Sequence, residues 1–133
     1  MEGKDKTILF LGTIRKYKGV KKLIEIAEIL KDKDFKFIVA GDLWNECKGY
    51  LKDFKKLKIR TFIGFQPEEE VIKFLSSADL ILMPYEKASG SGILMIAYTF
   101  EIPFCISHLE ELKEYIPENY PILKEPKDYS EFI

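Results

Sequence analysis

The sequence predicts an α/β fold, a parallel sheet with helices on both faces, and three observations carry that prediction. Short apolar runs alternate with longer amphipathic runs along most of the 133 residues. The apolar runs are near-continuous rather than alternating, as in strands buried on both faces. Four of them end on a glycine or proline, at Gly12, Gly41, Gly64 and Pro84, which stops the strand and opens a turn.

The elements follow in order. Thr7 to Leu11 reads as a first strand, stopped by Gly12. From Val20 to Leu30 the apolar residues Leu23, Ile24, Ala27 and Leu30 recur at helical spacing, with Lys21, Lys22, Glu25, Glu28 and Lys31 outside. Ile26 and Ile29 widen that stripe, which suits packing on a sheet. Phe35 to Ala40 is a second strand, stopped by Gly41-Asp42. Leu43 to Lys56 reads as a weaker helix, interrupted by Gly49 at a cost of about 1 kcal/mol relative to Ala. Ile59 to Ile63 is a third strand, stopped by Gly64. Pro67 opens the next helix at its first position, and Glu68, Glu69 and Glu70 face the positive end of its dipole. That helix runs to about Ala78, and Asp79 to Met83 is a fourth strand ended by Pro84. Gly92 to Phe100 is an almost wholly apolar helix, and Ile102 to Ile106 a fifth strand. Ser107 can cap a short helix from His108 to Tyr115, and Tyr120 to Leu123 is a sixth strand.

This alternation predicts a single doubly wound, Rossmann-like domain whose six-stranded parallel sheet is ordered 3-2-1-4-5-6. Ligands of such sheets sit at the carboxyl ends of the strands, near the switch point between strands one and four. That rule selects Gly12 to Gly19, Gly41 to Trp44, Gly64 to Pro67, and Pro84 to Gly92.

Composition narrows the function. At 47% hydrophobic and 32% charged, the chain is an ordinary globular domain and not a disordered one. A formal net charge of −1 speaks against a dedicated nucleic-acid binder. Cys47 and Cys105 form no C-x-x-C pair, so neither a disulfide framework nor a zinc site is indicated. No apolar run approaches the roughly 20 residues of a membrane span, and the start of the chain lacks the pattern of a signal peptide. A reducing cytoplasm is the expected setting.

Ser89-Gly90-Ser91-Gly92 carries the most chemistry, because it follows a strand and opens a helix. Free backbone N–H groups, the positive dipole end and two Ser hydroxyls suit a phosphate or diphosphate, whereas a plain turn with an N-cap accounts for one Ser and one Gly. Gly12-Thr13-Ile14-Arg15-Lys16-Tyr17-Lys18-Gly19 puts three cations beside the same crevice, or else forms a solvated basic loop. It is neither G-x-G-x-x-G nor a Walker loop. His108 faces the ligand edge but reads as a surface residue, and Trp44 reads as core packing at the sheet edge rather than a platform for a base. Glu68, Glu69 and Glu70 have no partner acids at metal spacing, and no metal is expected.

The series Ile8-Leu9-Phe10-Leu11-Gly12, Tyr17-Lys18-Gly19-Val20, Phe37-Ile38-Val39-Ala40-Gly41-Asp42, Ile63-Gly64-Phe65, Leu75-Ser76-Ser77-Ala78-Asp79-Leu80 and Ser91-Gly92-Ile93-Leu94 resembles the C-terminal half of group 1 glycosyltransferases. These are the two-domain, retaining family 4 enzymes of the GT-B fold, and the resemblance spans roughly residues 7 to 125. It implies that the chain binds a nucleotide-diphospho-sugar donor without a metal cofactor. Lys18 would lie on the diphosphate, Gly12 would allow close approach, Gly64 and Phe65 would lie near the base, and the helix start at Ser91-Gly92 would meet the phosphates. It also implies an N-terminal acceptor-binding domain that this chain lacks. Three departures stand out. Thr13 replaces the usual Arg, so that Arg15 would take its place or the contact is missing. The paired glutamates fall on Ala88 and Ile96, with Glu86 as a displaced substitute. Glu101 stands where the family has Gly. The alternative is a degenerate, non-catalytic nucleotide-binding or interaction module. A receiver domain is set aside, because its acidic cluster is absent from the ends of the first and third strands.

Overall fold

In the computed structural model of the chain, residues 6–87, 92–107, 109, 126–128 and 133 are described. Five strands, β1 (Lys6–Leu11), β2 (Phe35–Gly41), β3 (Arg60–Ile63), β4 (Leu80–Met83) and β5 (Phe104–Ile106), form one parallel sheet in the order β3-β2-β1-β4-β5. The expected order is therefore observed over five strands. The expected sixth, Tyr120 to Leu123, and the helix from His108 to Tyr115 lie outside the described residues.

Strand alternation explains the two layers. On β1 and β2, Ile8, Phe10, Phe37 and Val39 point to one face. There they meet Leu23, Ile26 and Ala27 of α1 (Val20–Ile29) and Phe54 of α2 (Leu51–Lys56). Leu9, Leu11, Ile38 and Ala40 point to the other face. They meet Phe74 and Leu75 of α3 (Glu68–Ser77) and Leu94 and Ala97 of α4 (Gly92–Thr99). The buried stretches 8–11 and 37–41 of the two central strands are apolar because both faces are covered, whereas Arg60 and Thr61 of the edge strand β3 are exposed. Cys47 and Cys105 are free and buried, and burial pushes both thiols above their ordinary value.

Three local expectations are corrected. The helix from Leu43 to Lys56 is a run of 3-10 turns over Asn45–Tyr50 followed by α2. Its first residues are extended because β1 and β2 resume pairing at Ile14 and Leu43, where Ile14 N–H donates to the Asp42 carbonyl at 2.7 Å and Trp44 N–H donates to the Ile14 carbonyl at 3.2 Å. Pro67 is the extended N-cap of α3 rather than its first helical residue. Ile29 is 50% exposed, so the apolar stripe of α1 is narrower than its composition suggests. The helix that Ser107 is expected to cap lies outside the described residues; the hydroxyl of this buried Ser107 donates to the Tyr85 carbonyl at 2.5 Å, joining the ends of β4 and β5.

Candidate functional site

Strand termination builds the site. Past β1, β2 and β3 the chain turns on Gly12, Gly41 and Gly64, all at positive φ, and Gly12 and Gly64 keep the ladder going by donating to the carbonyls of Ala40 and Gly41 at 3.0 and 2.9 Å. Gly41 has no substitute, since a Cβ there would overlap the Gly12 carbonyl. The packed glycines leave an open cleft of about 280 Å³ at the carboxyl edge. Gly12, Thr13, Asp42 and Phe65 rim it, and Ile93 and Ile96 of α4 close one side. A wider groove of about 590 Å³ lies between α1 and α2, and its lining mixes Glu25, Glu28 and Asp53 with Lys56 and Lys127 and has no residue of the strand-end segments selected from the sequence.

The cations of the loop after β1 are held apart. The Arg15 guanidinium stacks 3.7 Å from the centre of the Trp44 ring, reaches Tyr17 at 5.1 Å and pairs with Glu46 at 3.6 Å. Trp44 is therefore an exposed platform for Arg15, at 47% exposure, and not the core residue that its apolar character predicts. Glu46 also accepts the Lys16 backbone N–H at 2.7 Å. That hydrogen bond, with help from Arg15, holds its carboxyl below the ordinary value.

Lys18 closes a 3-10 turn over Lys16–Lys18 and is turned the other way, toward the end of β4. Its ammonium lies 4.5 Å from the ring centre of buried Tyr85 and 5.6 Å from that of Tyr17. It makes no ion pair among the described residues. Burial lowers its pKa, and burial likewise pushes the Tyr85 phenol up. Among the described residues this half-buried cation meets ring faces rather than a carboxylate, which leaves it able to pair with an anion.

The structure thus brings Gly12, Thr13, Gly64 and Phe65 around one cleft, with Phe65 81% exposed. Arg15 does not line the cleft, because Trp44 and Glu46 hold it. Glu86 is exposed, and its N–H donates to the Tyr17 carbonyl at 2.8 Å. Gly92 is the first residue of α4. Ser89, Gly90 and Ser91 lie outside the described residues, as do Ala88 and His108. Sequence reasoning missed the parts of Tyr85 and Glu46. Tyr85 follows Pro84 in a selected segment, so position marked it, but nothing in the residue types pairs Glu46 with Lys16.

A family model described as glycosyl transferases group 1 matches residues 1–133. The chain belongs to that family. Among its relatives, the amylovoran biosynthesis glycosyltransferase AmsK of Erwinia amylovora is 28% identical over 122 residues, which are 84% of this chain and 30% of the relative. A GDP-mannose:glycolipid 4-beta-D-mannosyltransferase of Xanthomonas campestris pv. campestris is 23% identical over 99 residues, 72% of this chain and 28% of the relative. The chain thus spans roughly a third or less of the length of these relatives. In fold it is similar to the C-terminal domain of a glycosyl transferase group 1 family protein (LpcC) from Francisella tularensis, with a TM-score of 0.79 at 20% identity, covering 96% of this chain and 72% of that one. It is also similar to the catalytic domain of cholesterol-alpha-glucosyltransferase from Helicobacter pylori, with a TM-score of 0.73 at 18% identity, covering 94% and 80%. The described sheet and its flanking helices are thus a GT-B type Rossmann-like unit. No helix among the described residues is long and apolar enough to cross a membrane.

Proposed function

We propose that this chain is the donor-binding half of a glycosyltransferase and holds a nucleotide-diphospho-sugar at the carboxyl edge of its sheet. The observation that carries the reading is the Lys18 ammonium, half-buried on Tyr85 and without a carboxylate partner among the described residues. In this reading the base and ribose occupy the cleft between Phe65 and Ile93, where exposed ring and aliphatic surfaces suit a planar group. The diphosphate meets Lys18 and the start of α4, with Ser89, Gly90, Ser91 and Gly92 as its further proposed contacts. Charge grows on the diphosphate as the glycosidic bond breaks, so a fixed cation and a helix N-terminus lower the barrier without a metal ion. The acceptor is assigned to a separate domain or partner, a reading supported by the small share of each relative that the chain spans. The chain alone then binds donor without turnover.

Isothermal titration calorimetry with GDP-mannose and UDP-glucose tests this. One sugar nucleotide binds, and Lys18→Ala weakens it roughly tenfold or more, the loss of a charge-assisted contact. Failure of every sugar nucleotide to bind at millimolar concentration would overturn the reading.

One observation favours a second reading, a nucleotide-holding module without catalysis. Ile96 lines the cleft where the family resemblance places a carboxylate, and an isoleucine cannot hold a ribose hydroxyl. In that case nucleoside diphosphates bind as well as their sugar conjugates, and no partner domain restores transfer.

A further inference from the structure

The 3-10 turn that carries Lys18 is closed at its end by Gly19, whose N–H donates to the Lys16 carbonyl at 2.9 Å, but its start lacks a side-chain cap of its own. Its N-cap, Arg15, makes no side-chain hydrogen bond to the turn, and Gly19, which caps α1 directly behind it, has no side chain to offer. The start of so short a turn frays without a partner for its first N–H groups, which have none within the turn. The missing partner comes from thirty residues away. Glu46 Oε2 accepts the Lys16 N–H at 2.7 Å, while its Oε1 lies 3.6 Å from the Arg15 guanidinium stacked on Trp44. On the opposite side the Glu86 N–H donates to the Tyr17 carbonyl at 2.8 Å, the Lys18 ammonium lies on the Tyr85 ring and the Lys87 ammonium lies 5.9 Å from the centre of the Tyr17 ring. The β2 exit also holds the residues before the turn, through Arg15 on Trp44 and Ile14 on Asp42 and Trp44, but the side-chain hydrogen bond onto the turn itself is Glu46 on Lys16, two residues from the cation.

We infer that Glu46 is a positioning residue for the Lys18 ammonium: it caps the Lys16–Lys18 turn from a distant loop and fixes where that cation stands at the ligand edge. Its consequence for the donor rests on the function proposed above, whereas its consequence for Lys18 does not. Removing the carboxylate releases the Lys16 N–H, the turn opens toward solvent, and the ammonium leaves the faces of Tyr85 and Tyr17. Glutamine keeps an acceptor oxygen at the same reach and preserves the cap, so charge is secondary to the hydrogen bond.

The first arm of the test needs no ligand. Lys18 acylation by an amine-reactive reagent is followed by peptide mass spectrometry in the full chain, with exposed Lys52 and Lys73 as internal standards. Glu46→Ala is expected to change the Lys18 rate several-fold with the standards unmoved, and Glu46→Gln to retain the original rate. Circular dichroism checks folding, and Glu46→Ser serves as a second variant should Glu46→Ala fail to fold. An unchanged Lys18 rate in the folded variant overturns the inference, and so does a rate that Glu46→Gln fails to restore. The second arm is GDP affinity in a double-mutant cycle with Lys18→Ala. Glu46→Ala weakens GDP several-fold in the parent and adds nothing once Lys18 is gone. Equal losses in both backgrounds reveal a merely structural role and also overturn the inference. If Lys18 labelling responds but neither GDP, UDP nor any sugar nucleotide binds, the positioning stands and the donor reading falls.

Discussion

Gly19 lies so close to Pro84 that a Cβ on Gly19 would overlap the Pro84 carbonyl oxygen. The loop after β1 and the exit of β4 are thereby pressed backbone to backbone across the switch point. Gly19 also holds φ at +82°, a conformation that costs a side chain roughly 1–2 kcal/mol. Gly19→Ala should therefore lower stability by more than about 2 kcal/mol, adding backbone displacement to the conformational cost. Urea unfolding measures it, and a loss below about 1 kcal/mol would show that the two loops separate easily.

Glu101 occupies the opposite situation, a side chain where a glycine belongs. It sits at φ 54° just past α4, with its N–H on the Tyr98 carbonyl at 3.2 Å and the Ile102 N–H on the Ala97 carbonyl at 2.9 Å. That pair of bonds is the left-handed helix end usually built on Gly. Glu101→Gly should stabilise the chain by roughly 0.5–1 kcal/mol, the left-handed penalty less the entropy a glycine adds to the unfolded chain. A thermal melt that moves downward would contradict it.

The cleft itself offers a gain-of-function test. Ile96→Glu puts a carboxylate beside Ile93, Val71 and Leu11. Partial burial of the new charge should cost about 1–3 kcal/mol of stability. Affinity for a ribonucleotide should nevertheless rise relative to its 2′,3′-dideoxy analogue, since only the ribose can donate to the new acceptor. Equal affinity for the two sugars would place the ribose elsewhere.

Glu46 gives the turn a pH dependence. Its pKa is held below the ordinary 4.5, chiefly by the Lys16 N–H. A carboxylate with a lowered folded value stabilises fully above its unfolded pKa, and that contribution is lost as pH falls through the folded one. The Lys16 amide resonance should therefore be steady at neutral pH and shift with a midpoint below 4.5, and the shift should vanish in Glu46→Gln. A midpoint at or above 4.5 would mean that the hydrogen bond is absent in solution.

Much of this molecule was legible in its residues. Continuous apolar strands with stop glycines, separated by one-sided helices, leave a two-faced parallel sheet as the arrangement that buries them all. The order of β3-β2-β1-β4-β5 and the ligand edge follow from right-handed crossovers. Gly12, Gly64 and Phe65 could be selected from strand ends alone, because position after a strand is a local property. Arg15 and Trp44 could not be judged that way. Spacing puts Arg15 among three loop cations, yet only folding brings it against Trp44 and Glu46, while Lys18 meets the faces of Tyr85 and Tyr17 and no carboxylate among the described residues. Local pattern determines which elements form and which edge they offer. Which cation is neutralised, which ring faces one, and which loop caps another depend on contacts across tens of residues, and only the tertiary structure decides those.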